Sequence, residues 1–297
     1  MTCLQIVGHF RSGTTLLASR LDSNHGIAIT RESHFLRYRK ILDPLLFLKH
    51  SIFKETAARL VIFILRKNHW TISLGAEKSI VSSCHSRGTT AAVYIDFLRR
   101  ELPSVDYLGD NTPRYIFDLE YLRGYCDVKT IICRRSLASI AKSALRADSF
   151  GYGPFEIAWE YVKREKQIQR LQAVLPVSDY LVIEYENFVK DPDEVEGRLA
   201  NLLSRDVSLS CGSSPRFVEV SKESHHANLT KKIQPLSDSP QAPDPEMEIA
   251  VLRTEYIARQ LTFIFEVACK VKLERALLSP LINVVVSVSS KLRRLAH

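Results

Sequence analysis

The chain has 297 residues, of which 45% are hydrophobic and 25% charged, and its formal net charge is +8. This ordinary globular composition leaves room for one large domain or two small ones and excludes a fibrous or low-complexity protein. The positive charge suits a polyanionic ligand such as a nucleotide. The basic residues are spread along the chain, however, which argues against a nucleic-acid binder.

The six cysteines form no CxxC pair, and no histidine cluster accompanies them at zinc spacing. They are therefore predicted to be buried free thiols in a reducing compartment, and no metal is expected. The first apolar run begins at Leu4, which leaves no room for a signal peptide. The apolar tract at 276–288 is interrupted by polar residues and is too short to span a bilayer. These features predict a cytoplasmic protein without a transmembrane segment.

Residues 4–21, LQIVGHFRSGTTLLASRL, predict a buried strand, a tight loop with two glycines and a helix that opens on two threonines. Unpaired N–H groups in the first turn of such a helix point into the loop and attract an anion. Gly8 and Gly13 have the spacing of the nucleotide P-loop, but Thr14 replaces its lysine, and a cation, Arg11, lies inside the loop. The pattern predicts a phosphate site adapted to a ligand other than ATP. The alternative is a glycine-containing turn of an ordinary α/β protein.

A second strand is predicted at 27–30, and Glu32 follows its carboxyl end. Ligands of open parallel sheets gather at these ends, so Glu32 could face the bound anion; the alternative is a solvated loop carboxylate. The next region is rich in apolar and basic residues, with a break predicted at the Asp-Pro pair 43–44 and helices predicted over 55–66 and 89–101. This region shows no recognisable chemistry.

A second switch from strand to helix follows further along the chain. The strong strand at 128–133 ends in Arg134 and Arg135, and a helix is predicted over 137–146. One of these arginines, together with Ser143 on the helix, could hold a second phosphate because guanidinium groups bind phosphate through paired hydrogen bonds. The alternative is that both arginines are surface charges.

The remaining pattern continues the alternation of strands and helices. A strand is predicted at 180–183, helices are predicted over 155–174, 191–203 and 246–270, and 204–244 is predicted to be a loose, proline-rich connection. The alternation predicts a P-loop-like three-layer α/β fold, in which a central, mainly parallel sheet carries helices on both faces.

The whole chain, 1–297, is predicted to form a single domain. Within it, a helical insertion is expected at about 36–101 and a C-terminal helical segment at about 246–297. Insertions of this kind often cover the active site in α/β enzymes, but that expectation rests on analogy between folds.

In order and spacing, these motifs resemble the sulfotransferases that use 3′-phosphoadenosine 5′-phosphosulfate (PAPS), most closely the branch with bacterial and tyrosylprotein sulfotransferases. The family loop PRSGTTLL is matched by residues 10–17, except that Phe10 replaces proline. The family signature RDPRxxxxS is matched by Arg135 and Ser143, which are eight residues apart. The third signature, YEDLVxxP, is matched by YENFVKDP at 185–192.

The resemblance implies a role for each matching residue. The loop would bind the 5′-phosphosulfate, and Arg135 with Ser143 would hold the 3′-phosphate. Glu32 lies 21 residues after Arg11, the separation at which the tyrosylprotein branch carries its catalytic base, so the resemblance implies that Glu32 is the base and that Arg11 shares in catalysis. No metal is required. The predicted PAPS-binding residues are Arg11, Ser12, Gly13, Thr14, Thr15, Arg135, Ser143 and Tyr185.

The sequence departs from the family at one catalytic position. Many relatives carry a lysine in an NKxP or EKTP motif that stabilises the transferring sulfuryl group, whereas residues 110–113 read DNTP, with Asn111 in the place of the lysine. Either Asn111 donates a neutral hydrogen bond, or another cation such as Lys231 or Lys232 substitutes, or activity is weaker. The same stretch predicts a helix start with Thr112 as N-cap.

The resemblance implies an enzyme, a PAPS-dependent sulfotransferase (EC 2.8.2-type), which transfers a sulfuryl group to a hydroxyl or amine acceptor with Glu32 as base. Small-molecule, carbohydrate, lipid and peptide acceptors all stay open, and no nucleic-acid partner is expected. One alternative is a P-loop ATP-dependent phosphotransferase, against which the missing lysine argues. The other is a catalytically weak nucleotide-binding scaffold on the same fold, which Asn111 and Ser136 keep open.

Overall fold

The computed structural model describes most of the chain, with side chains up to residue 263. The described residues are 2–68, 70, 72–102, 105–147, 152–209 and 245–270. They fall into two compact units, of which the first holds residues 2–135 and 167–209 and the second holds 136–166 and 245–270.

Several predicted features lie outside the described residues. They are most of the proline-rich connection, both candidate lysines and the C-terminal apolar tract, that is 210–244, Lys231, Lys232 and 276–288. The prediction of a single domain over the whole chain therefore stays a prediction, and each unit is described by itself.

The first unit contains a sheet of five parallel strands in the order β2-β3-β1-β4-β5. The strands are β1 Thr2–Gly8, β2 Ile27–Thr30, β3 Tyr107–Asp110, β4 Val128–Arg134 and β5 Tyr180–Glu184. The central strand β1 is apolar over most of its length and buried from its second residue on, as expected for a parallel strand covered on both faces. The predicted parallel sheet is confirmed.

Eleven α-helices lie among the described residues, together with short 3-10 helices. The α-helices are α1 Thr14–Leu21, α2 Arg39–Phe47, α3 Ser51–Lys67, α4 Leu74–Ser86, α5 Thr90–Glu101, α6 Leu119–Arg123, α7 Leu137–Ala147, α8 Pro154–Val174, α9 Tyr185–Lys190, α10 Pro192–Leu203 and α11 Pro245–Lys270. The 3-10 helices are Phe35–Tyr38, Pro113–Phe117 and Val177–Asp179.

Alternate residues of β1 enter two hydrophobic cores on opposite faces of the sheet. Leu4 and Ile6 pack in one core with α1, α9 and α10. Cys3 and Val7 pack in the other with α2 to α6 and the end of α8. Since helices cover both faces, the predicted three-layer α/β fold is confirmed. In the second unit, α8 and α11 bury a smaller core through Val162 and other apolar residues.

The predicted break at 43–44 is wrong, because α2 continues through Pro44. A proline inside a helix removes one backbone hydrogen bond, here to the carbonyl of Lys40. Asp43 compensates through tertiary contacts: its carboxylate accepts hydrogen bonds from the Thr90 backbone N–H at 2.7 Å and from the Tyr121 hydroxyl at 2.9 Å. Packing against α5 and α6 therefore holds a helix that local propensity alone would end.

The described cysteines agree with the predicted free thiols. Cys3, Cys84 and Cys133 are buried and Cys126 is half-buried, and none of these four is in a disulfide. Across the helices that the structure describes, none combines the length and the apolar character that a bilayer crossing demands.

Gly8→Ala should destabilise the first unit strongly. Gly8 has φ +135°, and a Cβ there would lie 2.0 Å from the backbone oxygen of Cys133 on β4. The strained backbone and the clash together should cost about 3–5 kcal/mol. Gly197 is a matched control, since a Cβ at this exposed position in α10 meets nothing within 4 Å. Gly197→Ala should be neutral or stabilising by up to about 1 kcal/mol. Urea unfolding of both variants tests this, and equal midpoints would contradict it.

Candidate active site

The carboxyl ends of all five strands lie along one edge of the sheet, because the strands are parallel. Strand β1 is central, and the chain places β3 and β2 on one side of it and β4 and β5 on the other. Ligands of open α/β sheets bind at such a switch point. The predicted site residues that directly follow the five strand ends are Arg11, Glu32, Asn111, Arg135 and Tyr185.

The loop after β1 is shaped for an anion. Arg11 has φ 59° and Gly13 has φ 82°, so the backbone turns twice through the left-handed region before α1 begins at Thr14. The Gly13 carbonyl accepts the first helical hydrogen bond, from Leu17 N–H at 3.0 Å. The first-turn N–H groups therefore point into the loop, as the sequence predicted.

The neighbouring strand β4 and a bond within the loop hold it in place. The His9 N–H donates to the Cys133 carbonyl at 3.1 Å, which ties the start of the loop to the end of β4. The Ser12 hydroxyl donates to the His9 carbonyl at 2.6 Å, which closes the loop on itself. Ser12 and Thr14 are buried, and with these hydrogen bonds the loop is preformed in the ligand-free chain.

Arg135 joins the second and third motifs to this loop. Its Nη1 donates to the Arg11 carbonyl at 2.9 Å, and its guanidinium carbon lies 4.3 Å from the centre of the Tyr185 ring. The same ring packs so closely on Gly13 that a Cβ there would lie 2.5 Å from Tyr185 Cδ2. Three stretches separated by more than 45 residues each therefore meet at one point.

The electrostatics of this cluster favour a polyanion. Burial lowers the pKa of the Arg11 guanidinium, and the positive charge of Arg135 lowers the pKa further. Burial likewise lowers the pKa of Arg135, against the opposing effect of Tyr185 and Glu186. Within the described part of the chain, the buried Nε of Arg135 has no hydrogen-bond partner. A bound anion would stabilise Arg11 and Arg135, because it offsets the cost of holding two partly desolvated positive charges close together. It could also accept the hydrogen bond that the Nε of Arg135 does not otherwise make.

The neighbouring residues have other tasks. Arg134 forms a 3.0 Å ion pair with Glu184 across the β4–β5 register, so Arg135 is the arginine that faces the loop. Ser136 stands where the family signature has Asp, and its hydroxyl accepts a hydrogen bond from Ser139 N–H at 3.3 Å at the start of α7. Ser143 is half-buried on α7 in the second unit, and its pairing with Arg135 stays a prediction.

Glu32 lies in the segment after β2 and is held by contacts that the sequence did not predict. Its backbone carbonyl accepts from Trp70 Nε1 at 3.1 Å, and its Oε2 lies 3.0 Å from His34 Nε2. His34 has φ 60°, an uncommon backbone conformation for a residue other than glycine. The Glu32 side chain is 38% exposed, so its carboxylate is accessible from solvent.

Asn111 follows β3 and is almost completely buried. Its Oδ1 has no hydrogen-bond partner among the residues that the structure describes. Thr112 occupies the N-cap position of a 3-10 helix, but its hydroxyl makes no cap; it accepts from the Ser33 N–H at 3.1 Å instead. The predicted helix start, with Thr112 at the N-cap and Pro113 first in the helix, is therefore confirmed, although the Thr112 hydroxyl bonds to Ser33 and not to the helix.

A buried polar network connects the ends of β2 and β3. The Asp110 carboxylate accepts from Thr112 N–H at 2.7 Å and from the Ser33 hydroxyl. Since Ser33 donates its proton to Asp110, Tyr115 must donate to Ser33, at 2.8 Å. Burial raises the pKa of Asp110 to about 6, although its hydrogen bonds with Ser33 and Thr112 oppose the shift. The network fixes the segments that carry Glu32 and Asn111 relative to each other.

Asp110 should give stability a specific pH dependence. Its folded-state pKa of about 6 exceeds the ordinary value of 3.8, so the folded chain binds more protons between these values. The contribution of Asp110 to the free energy of unfolding should therefore fall by about 3 kcal/mol as pH rises from about 4 to about 6 and stay level above. Asp110→Asn should lack this decline, while sharing the titration of every other group. Urea unfolding of both proteins across this range measures the difference, and parallel profiles would contradict the prediction.

The sulfotransferase family model matches residues 4–208. The chain belongs to the sulfotransferase family. The matched region contains every predicted site residue, from the loop of Arg11 to Tyr185. No curated protein sequence matches the chain.

Two solved sulfotransferase domains share the fold. The sulfotransferase domain of the Synechococcus PCC 7002 olefin synthase matches at 18% identity with a TM-score of 0.52, over 88% of this chain and 94% of that one. The sulfotransferase domain from the curacin biosynthetic pathway matches at 20% identity with a TM-score of 0.56, over 88% of this chain and 97% of that one. At such identities the likeness concerns the fold. Within the described residues of this sulfotransferase, no group of three or more His, Cys, Asp or Glu side chains could hold a metal.

Proposed function

We propose that this sulfotransferase transfers a sulfuryl group from PAPS to a hydroxyl or amine acceptor. The observation that carries the proposal is the position of Arg135, which bonds to the carbonyl of Arg11 and stacks on Tyr185. The arrangement supports a site for a ligand with two separate phosphate groups, one in the loop after β1 and one at Arg135.

The donor's 5′-phosphosulfate would lie in the loop after β1. There the first-turn N–H groups of α1, the hydroxyls of Thr14 and Thr15 and the guanidinium of Arg11 would stabilise negative charge that develops on the leaving phosphate. Arg135 and Ser143 would bind the 3′-phosphate, which ATP lacks, and so discriminate between the two nucleotides. A guanidinium suits this task because it forms paired hydrogen bonds to phosphate.

Glu32 would act as the general base. As the acceptor oxygen bonds to sulfur, the bond from sulfur to the donor phosphate breaks and the acceptor proton passes to the Glu32 carboxylate. His34, 3.0 Å from this carboxylate, would orient it. Asn111 could offer only a neutral amide hydrogen bond where relatives carry lysine, and the two lysines that could replace that charge lie outside the described residues.

The acceptor class stays open between small molecules, carbohydrates, lipids and peptides. Two compounds test the donor site first by calorimetric titration: the product 3′-phosphoadenosine 5′-phosphate, and ATP with Mg²⁺. The proposal predicts tight binding of the former and weak binding of the latter. A preference for ATP would indicate a phosphotransferase and overturn the proposal. If the protein binds 3′-phosphoadenosine 5′-phosphate tightly but does not convert PAPS to it with an acceptor of any of the four classes, the chain is a nucleotide-binding scaffold.

A further inference from the structure

The turn between α2 and α3 exposes an unusual run of apolar side chains. All seven residues from 47 to 53 are exposed. Four of them are large and apolar: Phe47 is 80% exposed, Leu48 42%, Ile52 61% and Phe53 39%. We call residues 47–53 the α2–α3 tip. Monomeric proteins rarely expose such a contiguous apolar patch unless it binds something.

Contacts on the buried side of α3 hold the tip in position. The opposite face of α3 is packed in the core through Ala57, Val61 and Leu65, so the helix needs none of the exposed side chains to hold its position. The His50 side chain caps α3 by accepting from the Ile52 N–H at 3.3 Å. Lys54, although charged, is buried and donates to the Arg87 carbonyl at 2.9 Å, which ties the start of α3 to the segment before α5.

The segment that carries the tip has a net positive charge, although Arg39 pairs with Asp118 and Arg66 with Glu77. Residues 37–67 contain eight Lys and Arg but only two Asp and Glu. Both acids are already engaged, Asp43 with Thr90 and Tyr121, and Glu55 with Arg59 at 3.1 Å. The tip itself therefore faces solvent with one cation, Lys49, and no acidic side chain among residues 47–53.

We propose that the α2–α3 tip inserts into the boundary between headgroups and acyl chains of an anionic lipid bilayer, so that the protein binds the membrane surface without spanning it. Phe47 and Phe53 would enter the acyl boundary, and Lys49 would lie at the level of anionic headgroups. A second copy of the chain is a poorer partner, because two such tips would bring like charges together. The proposal does not depend on the sulfotransferase reaction.

Flotation of the full chain with lipid vesicles tests this proposal. The protein should float with vesicles of phosphatidylcholine mixed with phosphatidylserine, more weakly with phosphatidylcholine alone, and less as salt is added. The double variant Phe47→Ser/Phe53→Ser should bind the anionic vesicles at least about 100-fold more weakly, and Lys49→Ala about fivefold more weakly. Both changes are at exposed positions, so unfolding curves should be unchanged.

A matched control removes similar apolar surface elsewhere. Leu252 and Tyr256 on α11 in the second unit are 64% and 65% exposed, so Leu252→Ser/Tyr256→Ser should leave vesicle binding within about threefold of the unaltered protein. The proposal is overturned if the unaltered protein does not float with anionic vesicles, or if the tip variant floats as well as the control. The proposal is also overturned if the tip variant binds vesicles as before but no longer self-associates in sedimentation experiments. That result would show that the tip binds a second copy of the chain.

Discussion

Replacing Arg135 by alanine should weaken the binding of 3′-phosphoadenosine 5′-phosphate by about 100-fold or more. Arg135 is partly desolvated, its buried Nε has no partner in the described part of the chain, and its Nη1 already bonds to the loop after β1. A charged group that meets a phosphate in such surroundings contributes several kcal/mol, much of it because the phosphate would otherwise be desolvated without a partner. Calorimetric titration measures the loss directly.

Arg134→Ala is the matched control, since it removes an identical side chain one residue away. Its ion pair with Glu184 lies at a half-exposed position and contributes little, so nucleotide affinity should change by less than about threefold. Arg135→Lys keeps the charge but loses the paired hydrogen bonds, so its nucleotide affinity should lie between those of Arg134→Ala and Arg135→Ala. If Arg134→Ala and Arg135→Ala weakened binding equally, the assignment of the 3′-phosphate to Arg135 would be wrong.

The fold followed from sequence patterns that act locally. The apolar runs of β1 and β4 are largely buried, and their alternation with helix patterns along the chain is typical of a parallel sheet covered by helices on both sides. The break predicted at 43–44 was wrong because the contacts that sustain the helix there come from residues distant in the sequence. Asp43 bonds to Thr90 and Tyr121, and contacts across 47 and 78 residues leave no trace in the local pattern.

The loop after β1 was predictable because the residues that shape it lie close together in the sequence. The glycines and Arg11 lie within six residues, and the structure brings them together as expected. The supports of Glu32 were not predictable. Trp70 reaches its backbone from 38 residues away, and Ser33 reaches Asp110 across 77 residues. The buried carboxylate of Asp110 carried one weak signal, its position at a strand end, which does not distinguish a structural acid from a catalytic one.

Replacing Glu32 by glutamine should slow turnover by about 100-fold or more and leave the affinity for the donor nucleotide unchanged. Glutamine keeps the size and the hydrogen-bonding reach of the side chain but cannot accept a proton, so the loss should appear in kcat. The measurement combines steady-state release of 3′-phosphoadenosine 5′-phosphate with calorimetric titration. Glu55→Gln is the control, because Glu55 lies in the same unit and its carboxylate contacts Arg59 and His85 on α3 and α4.

The contact between His34 and Glu32 allows a second test, in which the two residues are changed singly and together. If His34 orients the carboxylate, His34→Asn should lower kcat by about tenfold, since asparagine tolerates the left-handed backbone at this position but is too short to reach Glu32 in the same way. Combined with Glu32→Gln, it should lower kcat no further, because an oriented base is useless once the base is gone. Additive losses would place His34 in a separate role, and normal turnover of Glu32→Gln would remove Glu32 from the reaction while leaving the nucleotide site at Arg135 intact.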